Sequence, residues 1–400
     1  MNVPKFVKDS LEPFRDMTDL QIKVLKINPF GAQTFSASGT RDITFKLPRD
    51  HFLVGSRSFF YFKAEADGDG AGDDEFMSDI HTIFDNFRVE VGSQEVLNEQ
   101  EVGWYRSLEF DAYASSTDRT SASSTVMNIP DNSTSGTPKK FRIPLASKWN
   151  AKGFFKDILP LYKMDQLTLE WRINNTLAEY TTATTAVTSV DITNCELELY
   201  MIDSPTLRKL FDTDIVKSFT THYHYHATLA SGATQLSVNI PASMQNLRGL
   251  AMLQRNSADP TDPNWETGTA LENYKYTHAF VLNSLTKFSV SIDGKQYPDK
   301  EIDGSDGTEL VSNLERYWNV DRLGDWFDAD TLDASDSKGY YAISFSGTEE
   351  GVTGLSLVSK SGTVVVNANL TAGVNTDLDF FLRYDKFFKI SKNGDFSVTK

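Results

Sequence analysis

The chain has 400 residues, 40% hydrophobic and 12% aromatic, with a formal charge of -16. That is enough apolar material for two sizeable cores and too much for wholesale disorder, while the acidic balance repels phosphates and argues against nucleic-acid binding by the bulk surface. The single cysteine, Cys195, excludes an internal disulfide and a cysteine-built zinc cage.

The opening MNVPKFVKDSLEPF lacks the apolar centre of a signal peptide, and no stretch approaches the ~18 apolar residues of a membrane span. A soluble chain that is not exported by a cleaved signal is expected. Phe6, Val7, Leu11 and Phe14 recur at near-helical spacing, with Lys5, Lys8 and Arg15 among them. Pro4 suits a first helical turn and Pro13 breaks the far end. A short basic amphipathic helix of this kind packs on its own domain, docks on a neighbouring subunit or rests on an anionic membrane.

Beyond the arm, strand signals dominate. Ile43–Leu47, Phe87–Val91, Leu167–Ile173, Cys195–Met201, Leu236–Ile240, Phe288–Ile292 and Val364–Leu370 alternate apolar and polar residues, the pattern of half-buried strands. Helical spacing covers only Glu99–Tyr113 and Thr308–Trp318. Long polar loops are expected at Ala114–Lys140, Asn256–Glu272 and Asp321–Lys338. The acidic stretch Asp67–Glu75 fails the EF-hand pattern, since Ala71 and Ser78 stand where the fifth and twelfth ligands belong. It is read as a solvated turn. The sequons at Asn132, Asn174 and Asn369 are read as chance matches. The sequence contains no Walker lysine motif and no G-x-S-x-G elbow, and among 55 acidic residues no pair is singled out for glycoside cleavage.

Two stretches recur in the same order. SGTRDITFKLP from Ser38 reads against SGATQLSVNIP from Ser231, and NFRVEVGSQEV from Asn86 reads against KFSVSIDGKQY from Lys287. Each first member leads into an apolar strand, SFFYFKA from Ser58 and AMLQR from Ala251; each second member is followed by one of the two helical segments. Order and spacing together predict a duplicated unit, with the boundary near Ser204-Pro205. The expected organisation is an arm at 1–30, a first jelly roll at 31–208 and a second at 209–400. About eight strands per unit must hide their edges, and a jelly roll does so.

Three of the six histidines fall in Thr221–His226, THYHYH. On a strand His222, His224 and His226 share one face, and the outer two lie roughly 13 Å apart, so the strand offers at most two ligands to one metal. Cupin enzymes place a Glu shortly after such a pair; here ATLASGATQL follows His226 and contains no acid. A polar histidine face, exposed or at a subunit contact, is the expected role, with a pH-sensitive contact titrating around pH 6–7 as the alternative. No metal and no cofactor is expected.

ITFKLP from Ile43 leading through Phe52 into SFFYF at Ser58, and IFDNFRVEVGSQEV from Ile83 leading into Trp104-Tyr-Arg, resemble the first jelly roll of the double jelly-roll major capsid proteins. These build the shells of adenoviruses, large nucleocytoplasmic viruses and tailless phages with an internal membrane. The resemblance covers roughly residues 30–400 and lies in size and order more than in identity. It implies an all-β chain of two tandem eight-stranded jelly rolls with short helices and long surface loops, and no catalytic role. It further implies a homotrimer filling sixfold positions of an icosahedral shell, contacts to neighbouring capsomers and to minor capsid or penton proteins, and an arm (Phe6, Val7, Leu11, Phe14) turned toward an internal viral membrane or a partner. The place would be the virion, assembled in host cytoplasm or nucleus. A minor capsid or spike component is one alternative; a paired-jelly-roll glycan-active enzyme or lectin, which needs a convergent polar cleft between the rolls, is the other.

Overall fold

The structure, a computed structural model, describes residues 19–68, 75–76, 80–113, 139–146, 153–177, 181–182, 187–256, 285–304, 306–320, 323, 340–345, 354–357, 363–371 and 375–399. In chain order the strands of the first half are β1 (Gln21–Ile27), β2 (Thr34–Ser36), β3 (Asp42–Lys46), β4 (Phe52–Val54), β5 (Phe59–Gly68), β6 (Glu75–Phe76), β7 (Phe84–Val91), β8 (Gln94–Gln100), β9 (Lys139–Pro144), β10 (Ile158–Pro160), β11 (Leu167–Ile173), β12 (Thr181–Thr182) and β13 (Val187–Asp203). Those of the second half are β14 (Ile215–Leu229), β15 (Gln235–Pro241), β16 (Leu247–Asn256), β17 (Leu285–Ile292), β18 (Lys295–Asp303), β19 (Tyr341–Ser344), β20 (Thr363–Leu370), β21 (Thr376–Ile390) and β22 (Phe396–Thr399). Three α-helices are described: α1 (Val102–Tyr113), α2 (Pro205–Leu210) and α3 (Gly307–Trp318).

The strands build two sandwiches. In the first, a large sheet runs β10-β4-β13-β5-β9, with β1 and β2 also on β13, and packs on a four-stranded sheet β3-β11-β7-β8. In the second, β14-β21-β16-β19, with β22 on β21, packs on β15-β20-β17-β18. The small sheets thus have the same plan. Alternation places Ile43 and Phe45 of β3, Val89 of β7 and Leu169 of β11 inward, where they are essentially fully buried. Phe60 meets Phe45 edge-on at 5.5 Å and stacks on Trp171 at 4.7 Å, so the first core is aromatic. The second core packs Ile240, Val290, Val364 and Val366 against Leu250, Met252 and Leu382, with Trp318, Tyr340, Tyr341 and Phe380 in the same cluster.

The repeated stretches occupy equivalent positions. β3 and β15 are each the edge strand of a small sheet, β7 and β17 the third strand, β8 and β18 the far edge. β5 and β16 are the equivalent strands of the large sheets, each lying between the long strand, β13 or β21, and an edge strand, β9 or β19. α1 follows β8 as α3 follows β18. Local chemistry fixes the helix ends. Asp306 caps α3 by accepting from the amides of Thr308 and Glu309 at 3.0 and 3.1 Å, and Asn319 closes it in the left-handed region. Ser204 caps α2 through the Leu207 amide, with Pro205 in the first turn, and Asp19 accepts from the Ser204 hydroxyl at 2.9 Å.

Two expectations need correction. The helical segment from Glu99 begins three residues later, at Val102; Glu99 and Gln100 finish β8, and Glu101 turns the chain at φ 50°. Helical spacing and strand alternation overlap across that junction, so periodicity alone could not place the break. Residues 21–27, counted with the arm, are β1 and pair along β13 from Gln21–Asp203 to Ile27–Leu197. None of the seven is fully buried, which is why QIKVLKI gives no clear inward face. Phe6, Val7, Leu11 and Phe14 lie outside the described residues, as do residues 114–138 and almost all of the polar stretches at 256–272 and 321–338.

The sandwiches interlock. Trp104, Tyr105, Leu108 and Ala112 of α1, from the first half, belong to the second core. Phe219 of β14 and Phe388 and Ile390 of β21 belong to the first core, where Phe154 meets Phe219 at 5.3 Å and Phe388 at 5.4 Å. α1 can lie this close because Gly103 faces the backbone of His81 and Thr82; a Cβ there would stand 2.4 Å from the His81 carbonyl oxygen.

The candidate functional site: a polar seam between the sandwiches

β14 and β21 pair without a break from Ile215–Ile390 to Leu229–Thr376. The sequence TDLDFFLRYDKFFKI of β21 puts Asp379, Phe381, Arg383 and Asp385 on one face and Leu378, Phe380 and Leu382 on the other. The charged face is not surrendered to water. Asp379, Arg383 and Asp385 are all buried, and each is engaged: Arg255 Nε meets Asp379 Oδ2 at 2.6 Å, Arg248 Nε and Thr220 Oγ1 meet Asp385 Oδ1 at 2.7 and 2.8 Å, and Arg383 donates to the Tyr317 carbonyl oxygen at 2.6 Å. Buried charges persist only when paired in this way.

The THYHYH strand completes the network. His224 Nε2 and His226 Nδ1 both approach Asp379 Oδ1, at 2.7 and 3.2 Å. Burial works to raise the Asp379 carboxyl, but Arg255 and the two imidazoles outweigh it and hold the group well below the usual carboxylate range. The same hydrogen bond to Asp379 raises His226 above its ordinary value. His222 is different. It is 2% exposed, its ring stacks on Tyr105 of α1 with centroids 4.0 Å apart, and its Nε2 lies 2.9 Å from the Gln100 carbonyl oxygen of β8. Burial pushes its pKa down to about 4.

The three histidines therefore do not form an exposed face. His222 is buried in the contact with the first sandwich, His224 is largely covered, and only His226 reaches solvent, with a side chain 45% exposed. The contact lies within one chain: β14 meets β8 and α1. Among the described residues no group of three His, Cys, Asp or Glu side chains is placed to hold a metal ion, and no helix is long and apolar enough to cross a membrane. His278 lies outside the described residues.

Around His224 and His226 the sandwiches leave a polar cleft of about 750 Å³, lined on the first-sandwich side by Asp85, Arg88, Glu95 and Glu170 among others. Its carboxylates already have partners. Asp85 pairs with Arg41, Glu95 accepts from Arg88 Nε at 3.3 Å, and Glu170 accepts from the Thr44 hydroxyl at 3.5 Å. Burial pushes the Asp85 carboxyl up to about 6, against the pull of Arg41 and Arg172. Of the sequons, Asn174 is buried, its side-chain oxygen accepting from the Thr176 amide at 2.9 Å; Asn369 is exposed on β20 and Asn132 lies outside the described residues.

The seam residues other than the histidines carry no motif. Glu99, Tyr105, Arg255, Asp379 and Lys386 come from four elements, β8, α1, β16 and β21. The one legible signal is the charged face of an otherwise apolar β21, since same-face charges in such a strand must be neutralised by something.

No family model and no curated protein matches the sequence. Solved structures do match. The chain is similar to that of the PBCV-1 virus capsid, with 12% identity and a TM-score of 0.69 over 97% of this chain and 98% of that one. It is similar to the Faustovirus major capsid protein, with 8% identity and a TM-score of 0.58 over 92% and 90%. It is also similar to a chain of the Sputnik virophage, with 15% identity and a TM-score of 0.54 over 96% and 88%. These likenesses run through both sandwiches, and the chain has the double jelly-roll fold seen in viral major capsid proteins.

Proposed function

We propose that this chain is a viral capsid protein, the major shell component, whose trimers form pseudo-hexagonal capsomers of an icosahedral virion. The observation that carries the reading is mutual end-to-end coverage with the PBCV-1 capsid chain, 97% of one and 98% of the other. On this reading the chain divides into an arm that ends before β1, a first roll that begins with β1 and runs to about residue 208, and a second roll at 209–400. Two equivalent sandwiches in one chain supply the wedge geometry: three copies present six similar wedges, and closed symmetry then fills a sixfold lattice position. Its partners on this reading are itself, neighbouring capsomers, minor capsid or penton proteins, and an internal viral membrane reached through Phe6, Val7, Leu11 and Phe14. Direct nucleic-acid contact is not part of it. The protein would reside in the virion after assembly in host cytoplasm or nucleus.

Light scattering on gel-filtered protein tests the reading: a stable species of three times 44.8 kDa is expected, and a monomer at micromolar concentration overturns it. Deleting residues 1–16 should leave that trimer intact and impair particle assembly. In purified particles the chain should dominate the stained gel; a trace band makes it a minor capsid or spike component.

The polar cleft favours one second reading, a paired-jelly-roll lectin or glycan-active enzyme. A monomer that binds oligosaccharide, with binding abolished in Glu170→Gln, would establish it.

A further inference from the structure

We propose that His222 is an acid-release latch between the two sandwiches, protonation of its ring being coupled to the parting of β14 from β8 and α1. The proposal concerns one chain and holds whatever that chain assembles into.

Three side chains of the second sandwich hydrogen-bond β8 of the first. Thr221 Oγ1 donates to Glu99 Oε1 at 3.0 Å, His222 Nε2 lies 2.9 Å from the Gln100 carbonyl oxygen, and Lys386 Nζ donates to the Val96 carbonyl oxygen at 3.1 Å. A carbonyl oxygen only accepts, so His222 carries its proton on Nε2, and its neutral Nδ1 is a bare lone pair. That Nδ1 is buried with no hydrogen-bond partner among the described residues. The ring is sandwiched: Tyr105 stacks on it at 4.0 Å and Phe381 meets it edge-on at 5.5 Å.

The surrounding charges do not rescue a second proton. From β8, Glu99 favours the imidazolium, but its carboxylate is engaged by Thr221 and by Arg106 at 3.3 Å. From α1, Arg106 opposes the imidazolium and is itself bound to Glu109 at 3.0 Å; Tyr105 contributes its ring face. From β21, Arg383 is the register partner of His222 and donates to the Tyr317 carbonyl oxygen of α3 at 2.6 Å, while Asp379 is saturated by Arg255, His224 and His226. On β14 itself, His224 opposes a second positive charge. A proton arriving at Nδ1 therefore has no acceptor in the closed seam and finds water only when the seam opens.

The linkage has a definite sign. The folded pKa lies below the unfolded one, about 4 against 6.5. Seam closure is therefore undiminished above pH 6.5 and weakens as pH falls toward 4. His226 acts oppositely, since its raised pKa strengthens its bond to Asp379 on acidification, so the ladder holds the β14–β21 pair together while the latch frees β14 from β8.

Hydrogen exchange followed by mass spectrometry on the full chain, at pH 7.5 and 5.5 with intrinsic rates corrected, tests the latch. In the wild type, peptides covering β8, α1 and β14 should lose about tenfold protection between the two pH values, while β11 and β20, inside the small sheets, keep theirs. His222→Gln, which retains a donor for the Gln100 carbonyl and cannot titrate, should show no such loss. His222→Phe, which retains the stack, should also be flat and serves if the first variant folds poorly. Parallel pH profiles in wild type and variant would overturn the latch. So would wild-type seam protection that does not change, or that falls together with β11 and β20.

Discussion

The two sandwiches share a strand plan and differ in how each treats the first strand of its large sheet. In the first sandwich that strand is broken. β1 and β2 are separated by residues 28–33, which hold Pro29 and a Gly31 at φ +92°. In the second sandwich the equivalent strand, β14, is continuous over 15 residues and carries the histidines, while β21 beside it buries two aspartate–arginine pairs. One fold therefore tolerates an interrupted, solvent-facing strand where little depends on it, and demands an unbroken one where two domains must be joined. Both cores contain aromatic side chains; what sets the second unit apart is the buried, matched charge between β16 and β21, beside which Thr221, His222 and Lys386 hydrogen-bond β8 of the first.

The largest expected effect tests the polar half of that contrast. Asp379→Ala takes the carboxylate away from the buried Arg255 and removes the partner of two histidines, so it should cost about 3–5 kcal/mol, measured by urea denaturation. A loss below about 1 kcal/mol would mean that the pairing is incidental. Next comes the interlock. Leu108→Ala lies in the first half of the sequence but in the second core, and should cost about 2–5 kcal/mol. Hydrogen exchange should place the damage in β17 and β20 before β3 and β11; damage confined to the first sandwich would mean that the cores are separate. Gly103→Ala should displace α1 from His81 and Thr82 and lower the thermal midpoint by several degrees; a neutral substitution would show that the close approach is not needed.

The smallest effect is electrostatic. Because Asp379 raises the pKa of His226, the stability this residue adds is fully present below about pH 6.5 and is lost as pH rises through its elevated value. Its exposure limits the contribution to under about 1 kcal/mol. The difference in thermal midpoint between wild type and His226→Gln should therefore be larger at pH 6 than at pH 8.5. A difference that grows with pH would reverse the assignment.

Much of the architecture was legible in the chain itself, because half-buried strands must alternate and because a duplicated sandwich repeats its order of strand, turn and helix. Ser38–Pro48 and Ser231–Pro241 could be matched before any fold was known, and they became the equivalent edge strands β3 and β15. Less legible was β1, whose residues bury neither face fully, and the junction at Glu101, where strand and helix periodicities run together. The THYHYH segment announced that something was there without showing what.

What the linear sequence determined was the class of fold and the equivalence of its halves, since both rest on local periodicity that each segment carries alone. What only the tertiary structure decided was the seam. Thr221 and Glu99 are 122 positions apart, and His224 and Asp379 are 155 apart, so no local pattern records either pairing. Whether a histidine is a solvated ornament or a buried, neutral joint depends on what is packed against it, and Tyr105 and Gln100, which stack on and hydrogen-bond His222, come from the other half of the chain.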